Sequence, residues 1–183
     1  MAHFAFVKRF ESEDTLNLPV RKTKYSAGYD FEVAEDIVIP SYFEQYDKLK
    51  QAYGPTFFFS PLDLSEVASL TKNVQAKPTL VPTGVKCYLA DNEYLELSVR
   101  SSCPLKHWLI LANGVGIIDS DYVDNKDNDG EIFFQIINMS PFSIKLSKGD
   151  IIGQGIIKEY KVIEDDKSTG DRTGGFGSTS GSA

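Results

Sequence analysis

Four short stretches of the chain hold residue types suited to polar chemistry rather than to packing. They are Ala27-Gly28-Tyr29-Asp30, Arg100-Ser101-Ser102, Asn113 through Tyr122, and Gly174-Gly175-Phe176-Gly177-Ser178-Thr179. Each alone has a plain structural reading. Ala-Gly-x-Asp makes a turn, Arg-Ser-Ser at a strand end makes a surface cap, and Tyr122 by itself is a core aromatic. The glycine cluster points furthest, because consecutive glycine N–H groups can converge on an anion such as phosphate. It is not a P-loop, since no Gly-Lys-Ser/Thr follows it.

Other chemistries are poorly supplied. Cys87, Cys103, His3 and His107 are too scattered for a zinc site. His107 lies beside Lys106 and Trp108 with no orienting acid, so a His-dependent triad is not expected, and both histidines read as surface or packing residues. Two cysteines are too few for a disulfide scaffold, which favours a reducing compartment.

Length and charge narrow the classes. The 183 residues, 42% apolar and 12% aromatic, suit one soluble domain with a sizeable core. No apolar run approaches the ~20 residues that span a bilayer, and Met1 to Arg9 lacks the order of a signal peptide, so no membrane partner and a cytoplasmic location are expected. A net charge of −7 argues against nucleic-acid binding. It also means that a polyphosphate site would need arginines, backbone N–H groups and a divalent cation gathered locally.

The elements that must position these stretches are short strands alternating at period two. Val85, Cys87 and Leu89 alternate with Lys86 and Tyr88; Leu95, Leu97 and Val99 with Glu96, Ser98 and Arg100; Phe142, Ile144 and Leu146 with Ser143 and Lys145. Ile132 to Ile137 is apolar on nearly both faces and reads as a central strand covered twice. Turns at Pro82-Thr83-Gly84, Asp91-Asn92 and Ser147-Lys148-Gly149-Asp150 complete an all-β pattern of sandwich or jelly-roll type. One region differs. Tyr42, Tyr46, Leu49 and Tyr53 follow helical spacing with Gly54 as a stop. Ser60-Pro61-Leu62-Asp63 then offers an N-cap serine, a proline at the first helical position and an acid at the third, before Leu64, Val67, Ala68 and Thr71. Residues 41–78 are therefore predicted to be an inserted helical hairpin. Ser168 to Ala183, with five Gly, four Ser and three Thr, reads as a flexible tail.

In chain order the polar stretches resemble the five motifs of the trimeric dUTPase family, in a phage or Gram-positive bacterial form with insertions. Ala27-Gly28-Tyr29-Asp30-Phe31 resembles the first motif and Arg100-Ser101-Ser102-Cys103 the second. Asn113-Gly114-Val115-Gly116-Ile117-Ile118-Asp119-Ser120-Asp121-Tyr122 resembles the third, the most specific of the set. Gly149-Asp150-Ile151-Ile152-Gly153-Gln154 is similar to the fourth, and Arg172-Thr173-Gly174-Gly175-Phe176-Gly177-Ser178-Thr179 to the fifth.

The resemblance implies a distorted jelly-roll β-barrel over residues 1–163, interrupted by the helical insert at about 41–78. A Gly-rich C-terminal arm over 164–183 would carry the fifth motif. It implies a homotrimer in which neighbouring chains supply different motifs to one site and the arm reaches across to a third chain. The activity implied is a dUTP diphosphatase, releasing dUMP and pyrophosphate by Mg2+-assisted attack of water on the α-phosphorus; dUTP falls and dUMP is supplied for thymidylate synthesis.

Roles follow from the same resemblance. The third motif would form a hairpin whose Gly116, Ile117 and Ile118 read uracil through backbone groups, with Asn113 assisting and Phe133 beneath the base. Cytosine would leave buried groups unpaired, at about 1–3 kcal/mol each. Tyr122 would set its ring against deoxyribose C2′, where a ribose hydroxyl clashes. Asp119 would be the general base, and Asp30 would hold the Mg2+ through water. Ser101, Ser102 and Gln154 would donate to phosphate oxygens beside Arg100, and Arg172 would clamp the γ-phosphate. Phe176 would cover the uracil, with Gly174, Gly175, Gly177 and Ser178 completing a lid.

Three features depart from the family pattern. Val123 to Asp129 intervenes between Tyr122 and Gly130-Glu131 and reads as a solvent-exposed hairpin extension. The fifth motif is one residue shorter between Arg172 and Phe176 than is usual. The helical insert reads as a decorative lobe or, given Tyr42, Tyr46, Tyr53 and Phe57 to Phe59, as a surface for a regulatory protein partner. The rival functions are a dCTP deaminase-like enzyme of the same fold and a regulatory binding module on a dUTPase scaffold.

Overall fold

A computed structural model describes residues 1–54, 61–74, 77–170, 172 and 174. Among them, eleven strands form four small antiparallel sheets arranged as an open, distorted jelly-roll barrel. The strands are β1 (His3–Phe6), β2 (Tyr29–Glu32), β3 (Ile37–Ile39), β4 (Thr79–Pro82), β5 (Val85–Tyr88), β6 (Glu93–Val99), β7 (Leu109–Leu111), β8 (Gly116–Asp119), β9 (Phe133–Asn138), β10 (Ile144–Leu146) and β11 (Ile151–Glu159). The largest sheet runs β2-β11-β6-β8, a second runs β4-β9-β7, and β1-β5 and β10-β3 form two-stranded ribbons.

The core lies between these sheets, and its centre is aromatic. Phe31 and Phe134 meet edge-on with ring centroids 5.8 Å apart, and Phe4 meets Phe31 at 5.4 Å. Strand β11 accommodates those rings by carrying glycines beneath them. A Cβ on Gly153 would stand 2.1 Å from Phe134 Cε1, and one on Gly155 would stand 2.8 Å from Phe31 Cε2. The missing side chains let the strand lie flat on the aromatic layer, bringing Gln154 between them into register with Asp30 and Ser98.

Several sequence expectations meet the structure differently. β9 is indeed the central strand of its sheet, but only Phe134, Ile136 and Asn138 are buried, while Phe133, Gln135 and Ile137 stay half-buried. Its second apolar face finds no full cover within one chain. Phe142 lies outside β10 and is exposed, because the chain is still turning through Ser140–Phe142. Lys86, placed on the outer face of β5 by alternation, is buried against two aspartates.

The helical hairpin is present as α1 (Tyr42–Tyr53) and α2 (Leu64–Val74). Ser41 caps α1 through Glu44 N at 3.2 Å, and Ser143 Oγ donates to the Glu44 carboxylate at 2.6 Å, anchoring the helix to the barrel. The expected serine cap of α2 lies outside the described residues. The cap is Asp63, whose Oδ1 accepts from Glu66 N at 2.8 Å while the Glu66 carboxylate accepts from Asp63 N at 2.9 Å. The helix therefore starts at Leu64, with its acid at the cap instead of inside the first turn. Neither helix buries a residue.

Two glycines on these grounds should differ in their tolerance of a methyl group. Gly153→Ala forces a methyl into Phe134 and should lower the denaturation midpoint by the equivalent of about 1–3 kcal/mol. Gly170→Ala, with nothing within 4 Å of the added carbon, should leave it unchanged. Urea titration of both variants checks this.

Candidate active site

The polar stretches gather in two groups, held at opposite corners of the β2-β11-β6-β8 sheet. In the first, Asp30 on β2 pairs with Gln154 on β11, which pairs with Ser98 on β6. Gln154 Nε2 donates to Ser98 Oγ at 3.4 Å. Gly28 is needed beside it, since a Cβ there would come within 2.4 Å of Gln154 Oε1. Where β6 ends, Arg100 N donates to Ile152 O at 3.5 Å. Ser101 then stands at the N-cap position without a side-chain cap bond, and Ser102 opens the short helix α3 (Ser102–His107). Cys103 anchors that turn, with Sγ donating to Ile152 O at 3.2 Å, and burial pushes its thiol pKa up. Arg100, Ser102 and Asp150 help line an adjoining cavity of about 350 Å³.

The second group is built on the third motif. β7 pairs with β9 and β8 pairs with β6, so the 112–115 turn joins strands of two sheets and is not the tip of a two-stranded hairpin. Gly114 has φ +70°, and Ala112 N donates to Gln135 O at 2.7 Å, which fixes the turn. Asn113 is exposed at its tip, Gly116 and Ile118 face the core, and Ile117 faces out. A Cβ on Gly116 would meet Leu97 Cβ at 3.0 Å. Asp119 ends β8 with its carboxylate half-exposed, beside a pocket of about 260 Å³ lined by Tyr94, Ile117, Asp119 and Tyr160. A 3-10 turn, Ser120–Tyr122, then carries the chain to Tyr122, which is 5% exposed.

Arg172 joins this second group from the arm. Its Nε donates to Asp121 at 2.7 Å, its Nη2 pairs with Asp119 at 2.5 Å, and its guanidinium lies 5.7 Å from the Tyr122 ring centroid. The arginine expected on a γ-phosphate thus pairs with the expected base. Gly174 is buried nearby in sequence, while Gly175, Phe176, Gly177 and Ser178 lie outside the described residues. Phe133 is half-buried at the start of β9, opposite Pro82.

One chain does not unite the two groups. Gln154 and Lys158, which mark their rows on β11, are four residues apart, or ~13 Å along the strand. Asp30 and Asp119 also stand on the two outer strands of the sheet, a further ~14 Å across. No single substrate-bound water spans that gap.

Residues 123–129 are exposed at Asp124, Lys126 and Asp127, but they form a loop that folds back on Tyr122 in place of the expected hairpin. Asn125 Nδ2 donates to Tyr122 O, and Asn128 Nδ2 donates to the Tyr122 hydroxyl at 2.7 Å. Outside, the buried Lys86 Nζ reaches Asp124 at 2.5 Å and Asp129 at 3.2 Å. Burial works against the Lys86 charge, but both aspartates outweigh it and raise its pKa. Glu131, 2% exposed, accepts from Arg9 Nη2 at 2.8 Å and Gly84 N at 3.0 Å. A groove of about 750 Å³ runs along this loop. Sequence reading missed Asn125, Asn128, Glu131, Asp121, Lys86 and Arg9. The available signal was the pair of asparagines three apart before Gly130, an Asx-turn pattern.

The Lys86 hydrogen bond is the main cause holding Asp124 below the ordinary carboxylate range. Burial pushes Asp129 up, but the Lys8 N–H and Lys86 bonds bring it down overall. A depressed folded-state pKa contributes stability above the unfolded value of 3.8, and that contribution is lost as pH falls through the folded value. The urea midpoint of the wild type should thus drop on acidification below about pH 4, and Asp124→Asn should flatten that drop. A series of urea titrations against pH measures both.

Comparison with known proteins places this geometry. The family model described as dUTPase matches residues 59–180. The deoxyuridine 5′-triphosphate nucleotidohydrolase of Lactococcus lactis is 35% identical over 166 residues, covering 90% of this chain and 88% of its own. The crystal structure of a dUTPase from Streptococcus mutans superposes with a TM-score of 0.65 at 32% identity, over 88% of this chain and 98% of that one. A dUTPase from phage phi11 of Staphylococcus aureus, described with a structural Mg(II) ion, has a TM-score of 0.57 at 15% identity over 92% and 96% of the two chains, a likeness of fold alone.

Proposed function

The chain belongs to the dUTPase family and hydrolyses dUTP to dUMP and pyrophosphate, and we propose that it does so in sites shared between the subunits of a homotrimer. Asp119 orients a water and takes its proton. The water oxygen bonds to the α-phosphorus as the bond to the α,β-bridging oxygen breaks, and pyrophosphate leaves. Arg100, Ser101, Ser102 and Gln154 of a neighbouring chain hold the phosphates. The observation that carries this reading is the corner of Asp119, Tyr122 and Arg172, a carboxylate on a strand end with a cation already against it. The γ-phosphate is a stronger anion than Asp119, so Arg172 exchanges one for the other, and the base is released as substrate docks.

The third-motif backbone reads uracil, Tyr122 packs against deoxyribose C2′, and the rest of the arm closes over the base. Mg2+ fits the donor set. Asp30 is a half-buried carboxylate with no ion pair among the described residues, and no group of three or more His, Cys, Asp or Glu ligands occurs among them. Such a site suits an ion that keeps several waters and is held mostly by substrate phosphates. When bound, the ion would neutralise charge building on the departing pyrophosphate.

The separation of Asp30 and Gln154 from Asp119 supports the shared site, and the half-covered face of β9 supports an interface between copies. A second reading concerns the helical hairpin. Tyr42, Phe43, Tyr46 and Leu64 are exposed on it, which favours a docking surface for a protein partner. Replacing residues 41–78 by a short linker should then preserve dUTP turnover while abolishing the partner complex.

Pyrophosphate release from dUTP, with dTTP, dCTP and UTP as controls, tests the catalytic reading. Turnover should be confined to dUTP, and Asp119→Asn should lower kcat about 10²–10⁴-fold with little change in thermal stability. Retained turnover in that variant would remove Asp119 from the role of base. Ammonia release from dCTP would instead support the deaminase reading.

A further inference from the structure

We propose that the 123–130 loop is a sugar-selectivity brace, in which Asn128 is the positioning residue that fixes the Tyr122 ring against the 2′ carbon of the substrate. The inference rests on the reading of Tyr122 as the group packed on deoxyribose.

Tyr122 is held at both ends by this loop. Its hydroxyl donates to Glu131 O at 2.9 Å and accepts from Asn128 Nδ2 at 2.7 Å. Its backbone carbonyl accepts from Asn125 Nδ2 at 2.8 Å. A phenol with one partner can pivot about that bond. With a donor contact and an acceptor contact on different groups, the ring tilt is set.

The amide of Asn128 is itself oriented. Its Oδ1 accepts from Asn125 Nδ2 at 2.7 Å and from Gly130 N at 3.1 Å, which leaves the Nδ2 side for the phenol. Asn125 is fixed in turn, because its Oδ1 accepts from Asp127 N at 3.0 Å and Asn128 N at 3.1 Å. Gly130 closes the loop at φ +79°, and a Cβ there would stand 2.7 Å from Val123 Cα. Lys86, between Asp124 and Asp129, pins the outer edge to the barrel. The brace therefore runs from a buried lysine, through two asparagines, to the edge of one ring.

Discrimination against a single added hydroxyl is sensitive to such fixing. Steric exclusion of one small group fails when the excluding surface can move back by a fraction of an ångström. A loose Tyr122 would still bind dUTP but would yield to UTP.

The test compares kcat/KM for dUTP and UTP, with melting temperature, in Asn128→Asp, Asn128→Ala, Tyr122→Phe, Tyr122→Ala and the Tyr122→Phe/Asn128→Ala double variant. Asn128→Asp keeps the acceptor contacts that close the loop but replaces the N–H donor by a carboxylate oxygen, which can only accept and competes with Glu131 O for the phenol proton. The dUTP-to-UTP ratio should fall about tenfold in both Asn128 variants, mainly through faster UTP turnover. Tyr122→Phe should fall similarly, and the double variant should be no worse than the larger single effect. Unchanged ratios in the Asn128 variants, with or without lost stability, overturn the proposal. If Tyr122→Ala loses discrimination and the Asn128 variants do not, the brace is wrong and the role of Tyr122 stands. If Tyr122→Ala keeps discrimination, that role fails and the brace fails with it.

Discussion

One buried carboxylate ties the site to the fold. Glu131 is almost fully enclosed, and its oxygens accept from Arg9 Nε at 3.0 Å, Arg9 Nη2 at 2.8 Å and Gly84 N at 3.0 Å. Its backbone carbonyl accepts the Tyr122 hydroxyl. Removing Arg9 would leave an enclosed carboxylate met only by the Gly84 N–H, which is destabilising although the arginine itself is half-exposed. The N-terminal segment, the turn between β4 and β5, and the tyrosine after the third motif thus share one electrostatic anchor. The 123–130 loop is added to that anchor, and Lys86 secures its far side.

The second constraint is distance within one sheet. Strand β11 carries glycines so that the aromatic core can lie against it, and this flatness aligns Gln154 with Asp30 and Ser98. The same sheet places Asp119 at its opposite corner. A rigid sheet keeps the corner of Asp30 and Gln154 apart from the corner of Asp119. Strand β9 offers a face that is only half covered within one chain.

Much of this was legible in the sequence. Period-two alternation located β5, β6 and β10 to within a few residues, and helical spacing located α1 and α2. The third motif was readable because its residues are contiguous in the chain and stay together on one turn and one strand end. What could not be read was anything set by partners far apart in the chain. Arg9 and Glu131 are separated by 122 positions, and Lys86 and Asp124 by 38. Alternation places Lys86 outward; only the return of the 123–130 loop makes its burial tolerable. The cap of α2 moved to Asp63 because a reciprocal bond with Glu66 was available one turn later than the Ser-Pro signal. Asn125 and Asn128 looked like solvent-facing polar residues, since composition does not reveal that a loop folds back on itself.

An acidic chain handles a polyphosphate by concentrating its few cations. Arg172 pairs with Asp119 and Asp121, and Arg100 stands at the opposite corner of the sheet. The most direct test of the shared site mixes two inactive proteins. Asp119→Asn and Arg100→Ala chains would be unfolded, refolded together as trimers and assayed for pyrophosphate release from dUTP. If Asp119 and Arg100 act from different subunits, random assortment should restore about a quarter of the sites. If the mixture stays as inactive as its two components, each chain builds its own site and the account is contradicted.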